Sequence, residues 1–117
     1  MSAKAAIDHH LQAFLAGDVD EVMKDYSDAS VFMSPNGVAH GRDEIQAVFT
    51  RLLGGLFAPG TYSFTLDFEH AEDEVGMIIW HGECAGANIP IATDTFVVRD
   101  GVILAQTVAL KMEPTAE

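Results

Sequence analysis

Apart from one short early hairpin, the apolar pattern of this chain is helical in its first half and alternating in its second. In the first half, Ala6, Ile7, Leu11, Phe14 and Leu15 recur at helical spacing, which places them on one face of a helix. Gly17 suits a left-handed helix end, and Asp18 can cap the next helix. Val19, Val22, Met23 and Tyr26 then make that short second helix, with Asp20 and Glu21 at the end where the dipole favours negative charge. A third stripe, Ile45, Val48, Phe49, Leu52, Leu53 and Leu56, follows Gly41 and ends before Pro59-Gly60. Beyond that point the period is two. Tyr62, Phe64, Leu66 and Phe68 alternate with polar residues, and further strands are expected over Val75 to Ala85, Ile89 to Arg99 and Val102 to Met112. Asp100-Gly101 is a hairpin turn, and Pro35-Asn36-Gly37 turns a short hairpin between Ser30 and His40.

Helices followed by a meander, with no strand–helix alternation, define an α+β fold rather than a parallel wound sheet. The 117 residues fit one domain spanning 1–117. There is no repeat, linker or low-complexity block. With 18 acidic against 6 basic residues and a net charge of -12, the chain is a poor partner for nucleic acid or an anionic membrane. Cys84 is the only cysteine, so no internal disulfide forms. The histidines lack metal-ligand spacing, and neither a metal nor a cofactor is expected. Met1 to Lys4 lacks a signal-peptide core, and a cytoplasmic protein is the expectation. Val75 to Trp80 is apolar on both faces, with Ile78 and Trp80 on one side and Met77 and Ile79 on the other. Helices can cover only one of these, so a homodimer is expected to cover the second.

The ordered series Phe14-Leu15-Ala16-Gly17-Asp18, Ser34-Pro35-Asn36-Gly37, His40-Gly41-Arg42-Asp43-Glu44-Ile45 and Thr93-Asp94-Thr95-Phe96-Val97-Val98-Arg99-Asp100-Gly101 resembles the SnoaL-like and ketosteroid-isomerase-like families of the nuclear-transport-factor-2-like superfamily. The resemblance runs from about Ala6 to Met112. It implies a cone-shaped, curved antiparallel sheet wrapped around three helices from the N-terminal half, with an internal pocket. Members include isomerases, cyclases, dehydratases and non-catalytic binding modules, so the fold does not select among them.

Asp94 shares strand phase with Phe96 and Val98, so if Phe96 points inward Asp94 does too. A carboxyl in an apolar site has its pKa raised and can stay protonated. The resemblance implies a pocket aspartic acid at this place, as in ketosteroid isomerase, where an aspartic acid in an apolar site stays protonated. His10 lies one turn before Phe14, near the buried face, with His9 expected toward solvent. The resemblance matches His10 to an oxyanion-hole tyrosine. Ser34 stands where the catalytic aspartate of ketosteroid isomerase precedes a proline, and a serine is no general base at neutral pH. Its hydroxyl is expected to satisfy the turn. Arg42 and Asp43 are expected to form a local ion pair.

Asp94 and His10 are therefore the catalytic candidates. Phe14, Tyr26, Phe32, Ser34, His40, Phe49, Trp80 and Phe96 are the candidate ligand-binding residues, with Phe57 a further wall or core residue. The expected function is a small-molecule pocket protein for an apolar or cyclic ligand, with an acid–base isomerase, cyclase or dehydratase as its catalytic form. The alternative is a non-catalytic ligand-binding or dimerisation module.

Overall fold

The computed structural model describes residues 3–115. Its elements are α1 (Ala3–Leu15), α2 (Val19–Met23), β1 (Val31–Ser34), β2 (Gly37–His40), α3 (Gly41–Leu53), β3 (Ser63–Glu72), β4 (Val75–Cys84), β5 (Ala87–Arg99) and β6 (Val102–Pro114). The strands form one curved, unclosed sheet in the order β2-β1-β6-β5-β4-β3. With the three helices against it, the sheet makes the α+β cone.

Local chemistry explains the boundaries. α1 ends where Gly17 takes a φ of 72°. There the Gly17 N–H donates to Phe14 O, and the Asp18 N–H donates to Ala13 O, which closes the helix end. Asp18 then accepts the Glu21 N–H and caps α2. Asp100 and Gly101 both adopt positive φ, as a two-residue hairpin requires. Two strands are longer than the apolar pattern suggests: β5 begins at Ala87, and β6 continues to Pro114, into the tail Glu113–Glu117, which its place at the chain end marks for fraying. Glu117, the end of that tail, lies outside the described residues.

Four pairings are antiparallel, and the fifth, β1 against β6, is parallel. The segment entering β1 is stitched to β6: Ser30 Oγ donates to Ile103 O at 2.6 Å, and the Ile103 N–H donates to Asp25 O at 2.8 Å. Arg42 does not pair with Asp43. Its Nη1 donates to Met23 O and Tyr26 O, at 2.7 and 2.8 Å, at the end of α2 and just beyond it, where carbonyls lose their full set of helical partners. Together these bonds place Tyr26 beneath the middle of β6.

The core lies between the helices and the inner face of the sheet, where Ile7, Ile45, Phe49, Ile78, Phe96 and Val98 are buried. The outer face keeps exposed apolar residues, among them Phe68 at 47%, Met77 at 36% and Ile91 at 50% exposure. No helix among the described residues is long and apolar enough to cross a membrane.

Candidate functional site

Between α1, α3 and the inner sheet lies a cavity of about 490 Å³. Its wall is mostly apolar: Phe14 comes from α1, Phe49 and Leu52 from α3, Phe64 from β3, and Val108 and Leu110 from β6. The exposed residues Asn36 and Arg51 border its open end. Polar groups in its depth are His10, Asp94 and Gln106, exposed by only 4%, 8% and 2%.

Strand register assembles this polar floor. Asp94 on β5 lies opposite Ile78 on β4 and Val108 on β6. Trp80 lies opposite Ala92 and Gln106 opposite Phe96, so each is a diagonal neighbour of Asp94 on the same face. Trp80 Nε1 donates to Asp94 Oδ1 and Gln106 Nε2 to Asp94 Oδ2, both at 2.9 Å. The Tyr26 hydroxyl donates to Gln106 Oε1 and lies 3.3 Å from His10 Nδ1. One hydrogen-bonded chain thus runs Trp80, Asp94, Gln106, Tyr26, His10.

Burial dominates the electrostatics of the chain. It raises the Asp94 pKa, against the lowering effect of the Trp80 and Gln106 hydrogen bonds. It pulls His10 down to about 4, helped by the charge of His9, so the ring is neutral at pH 7. Burial, with the Asp25 and Asp94 carboxylates, also holds the Tyr26 phenol well above its usual range.

Asp94, His10, Phe14, Phe32, Ser34, Phe49 and Trp80 all border the cavity, and Phe57 joins them. Asp94 does not meet His10 directly; Gln106 and Tyr26 stand between them. Three candidates are placed elsewhere. Tyr26 is buried behind the wall and contributes its hydroxyl to the chain. Phe96 is fully buried beneath the His10 ring, with centroids 5.6 Å apart. His40 is exposed at the start of α3, where its backbone N–H donates to Glu44 Oε1. Ser34 Oγ accepts the Asn36 N–H at 3.2 Å, a turn contact. His9 is not free in solvent: Nδ1 meets Asp25 at 2.8 Å and Nε2 meets Glu21 at 2.7 Å. The Cys84 thiol is buried, its pKa pushed up by that burial, and it stands apart from the cavity lining.

An unclosed, curved sheet over three helices matches the α+β cone of NTF2-like proteins. The model of the SnoaL-like domain family matches residues 7–106, and the chain belongs to it. A search of curated proteins finds no match. Among solved structures, an NTF-2-like protein of unknown function from Burkholderia xenovorans has 19% identity, with 97% of this chain and 86% of that one covered at a TM-score of 0.76. A proposed polyketide cyclase from Sinorhizobium meliloti has 12% identity, with 89% and 93% covered and a TM-score of 0.76. An LEH-like epoxide hydrolase from M. tuberculosis has 15% identity, with 92% and 80% covered and a TM-score of 0.73. At these identities the likeness is one of fold.

Proposed function

We propose that this protein binds a small apolar, cyclic molecule inside the cone, with a polar group of that molecule at His10. The observation that carries the reading is the cavity: its volume lies in the range of about 300–1,000 Å³ usual for ligand pockets, and its few polar groups converge at one depth. The cyclase and hydrolase among its structural neighbours favour an oxygen-bearing cyclic ligand. Titration with bicyclic aromatic probes should shift the NMR signals of the Trp80 indole and the Leu110 methyls. Val108→Trp, which fills the cavity, should remove those shifts in a folded protein. Shifts that survive the filled cavity would place binding elsewhere and end the reading.

Acid–base catalysis on the same ligand is the second reading, favoured by the unbroken chain from Asp94 to His10. It ranks second because both Asp94 oxygens already accept hydrogen bonds and a buried neutral imidazole is a weak base. Deuterium exchange next to the carbonyl of cyclic ketones would reveal it. Exchange no faster than in buffer, or unchanged in His10→Ala, would remove it.

We further infer that a second copy of the chain covers the outer sheet face around Phe68, Met77 and Ile91. Exposed apolar residues on three neighbouring strands support this. Sedimentation equilibrium at micromolar concentration should give twice the chain mass, and Met77→Lys should give the single mass. A monomeric wild-type protein would refute it.

A further inference from the structure

The chain of hydrogen bonds leaves the His10 ring only one way to be protonated. Indole N–H groups only donate, so Asp94 Oδ1 accepts from Trp80. The Gln106 atom facing Oδ2 is the amide nitrogen, which can only donate, so Oδ2 accepts as well. Gln106 Oε1 is thereby turned to Tyr26 and must accept its hydroxyl proton. That proton is the only one Tyr26 has. The contact between Tyr26 and His10 can then be made only if Nδ1–H donates to the phenol oxygen. A neutral imidazole carries one ring proton, so Nε2 holds a lone pair.

Nε2 has no hydrogen-bond partner among the described residues, and it is not sealed. Among these residues, the one fully buried side-chain polar atom without a partner is Glu69 Oε2. His10 itself borders the cavity, while Tyr26, on its other nitrogen, does not. The lone pair therefore opens on the ligand space.

We propose that the cavity selects apolar ligands bearing a hydroxyl, which donates to His10 Nε2, and that Asp94 imposes this choice at a distance through Gln106 and Tyr26. Gln106 and Tyr26 are positioning residues: they set the direction of the hydrogen bonds and leave the ligand to His10. The proposal rests on the cavity-binding reading and narrows its ligand class. An ether or carbonyl oxygen placed at Nε2 would set lone pair against lone pair. A hydroxyl of the same shape would complete the chain. Burial keeps His10 neutral, which the argument requires.

The same logic says how to reverse the chain. Asp94→Asn keeps the shape, and its oxygen still accepts from Trp80. Its new amide N–H₂ then faces Gln106 and must donate. Gln106 turns over and donates to the Tyr26 oxygen, Tyr26 donates to His10 Nδ1, and the ring proton moves to Nε2. A single isosteric change at Asp94 thus converts the cavity group from acceptor to donor.

The ring nitrogens of the ligand-free protein report this directly. In ¹⁵N NMR at pH 7, the His10 signals, assigned by their loss in His10→Gln, should show a protonated Nδ1 and a bare Nε2. Asp94→Asn should interchange them. Wild-type protein should bind 2-naphthol about tenfold more tightly than 2-methoxynaphthalene, the scale of one hydrogen bond made or missed. Tyr26→Phe, which cuts the chain, should reduce that ratio severalfold, and Asp94→Asn should abolish it. A protonated Nε2 in the wild type overturns the proposal, as does equal binding of the two probes. If the ring is protonated as expected but neither probe binds, the cavity-binding reading falls and the ligand preference falls with it.

Discussion

Trp80 joins packing to the polar floor, and two substitutions separate the parts. Its ring lies 5.0 Å from Phe64 and 6.0 Å from Phe57 between centroids, and its N–H holds Asp94 Oδ1. Trp80→Ala removes both. Burying and then deleting an aromatic side chain costs about 3–5 kcal/mol, and the low end applies here because Trp80 already borders a cavity. Trp80→Phe keeps a ring against Phe64 and Phe57 but leaves Oδ1 without a donor, which costs about 1–3 kcal/mol. Urea unfolding should be followed by far-ultraviolet circular dichroism, because Trp80 is the only tryptophan and its fluorescence disappears with it. The two losses also differ in their pH response. Burial raises the folded pKa of Asp94 above its ordinary 3.8, and the Trp80 bond opposes the rise. Losing that bond raises the pKa further, so the ionised form is the one that suffers. The charge-dependent part of the Trp80→Phe penalty is therefore present where Asp94 is ionised and disappears as pH falls through its folded pKa, which lies above 3.8. Equal penalties for Phe and Ala would show that ring packing contributes nothing. A Phe variant as stable as wild type at pH 7 would refute the claim that the indole supports Asp94.

His9 gives a second pH signature. Hydrogen bonds donated to Asp25 and then to Glu21 raise its pKa above the ordinary 6.5, so its stabilisation is full below 6.5 and is lost as pH rises through the folded value. The difference in melting temperature between wild type and His9→Ala should narrow on going from about pH 6 to pH 9; a constant difference would deny the ion pair. Gly76 lets α1 approach the sheet: a Cβ there would lie 2.3 Å from Ile7 Cδ1. Gly76→Ala should cost about 1–3 kcal/mol in denaturant titration, and adding Ile7→Val, which removes that methyl, should recover part of the loss.

Much of the fold was legible because its elements obey single periods and end at residues with one structural use. The stripe from Ala6 to Phe14 has one buried face, and Gly17 can take the positive φ that ends it. Asp100-Gly101 turns a hairpin for the same reason. What local pattern cannot show is pairing between distant segments. The parallel contact of β1 with β6 depends on Ser30 and Asp25 bonding the backbone of Ile103. Nothing in the alternation of Val31 to Ser34 names that partner. The same holds for Arg42, whose sequence neighbour Asp43 looked a nearer partner than the carbonyls of Met23 and Tyr26.

The site divides along the same line. Asp94 was visible because it keeps strict alternation with Phe96 and Val98, all three buried on one face. Gln106 was hidden by a broken alternation. The turn pairs Arg99 with Val102 and Val98 with Ile103. Continued without interruption, that register would set Ala105 opposite Phe96 and turn Gln106 to the outer face. The sheet instead carries an irregularity between Val97 and Val98, after which Val97 pairs with Ala105 and Phe96 with Gln106. One extra residue in β6 inverts every later side chain. Ile103 and Gln106 both point inward although three positions apart, and Val108 and Leu110 follow Gln106 into the cavity wall. A strand read at period two from its turn therefore assigns the amide to solvent, although it links Asp94 to Tyr26. The bulge decides the chemistry of the floor: without it, a small apolar side chain would stand beside Asp94, and the carboxylate would have no path to His10.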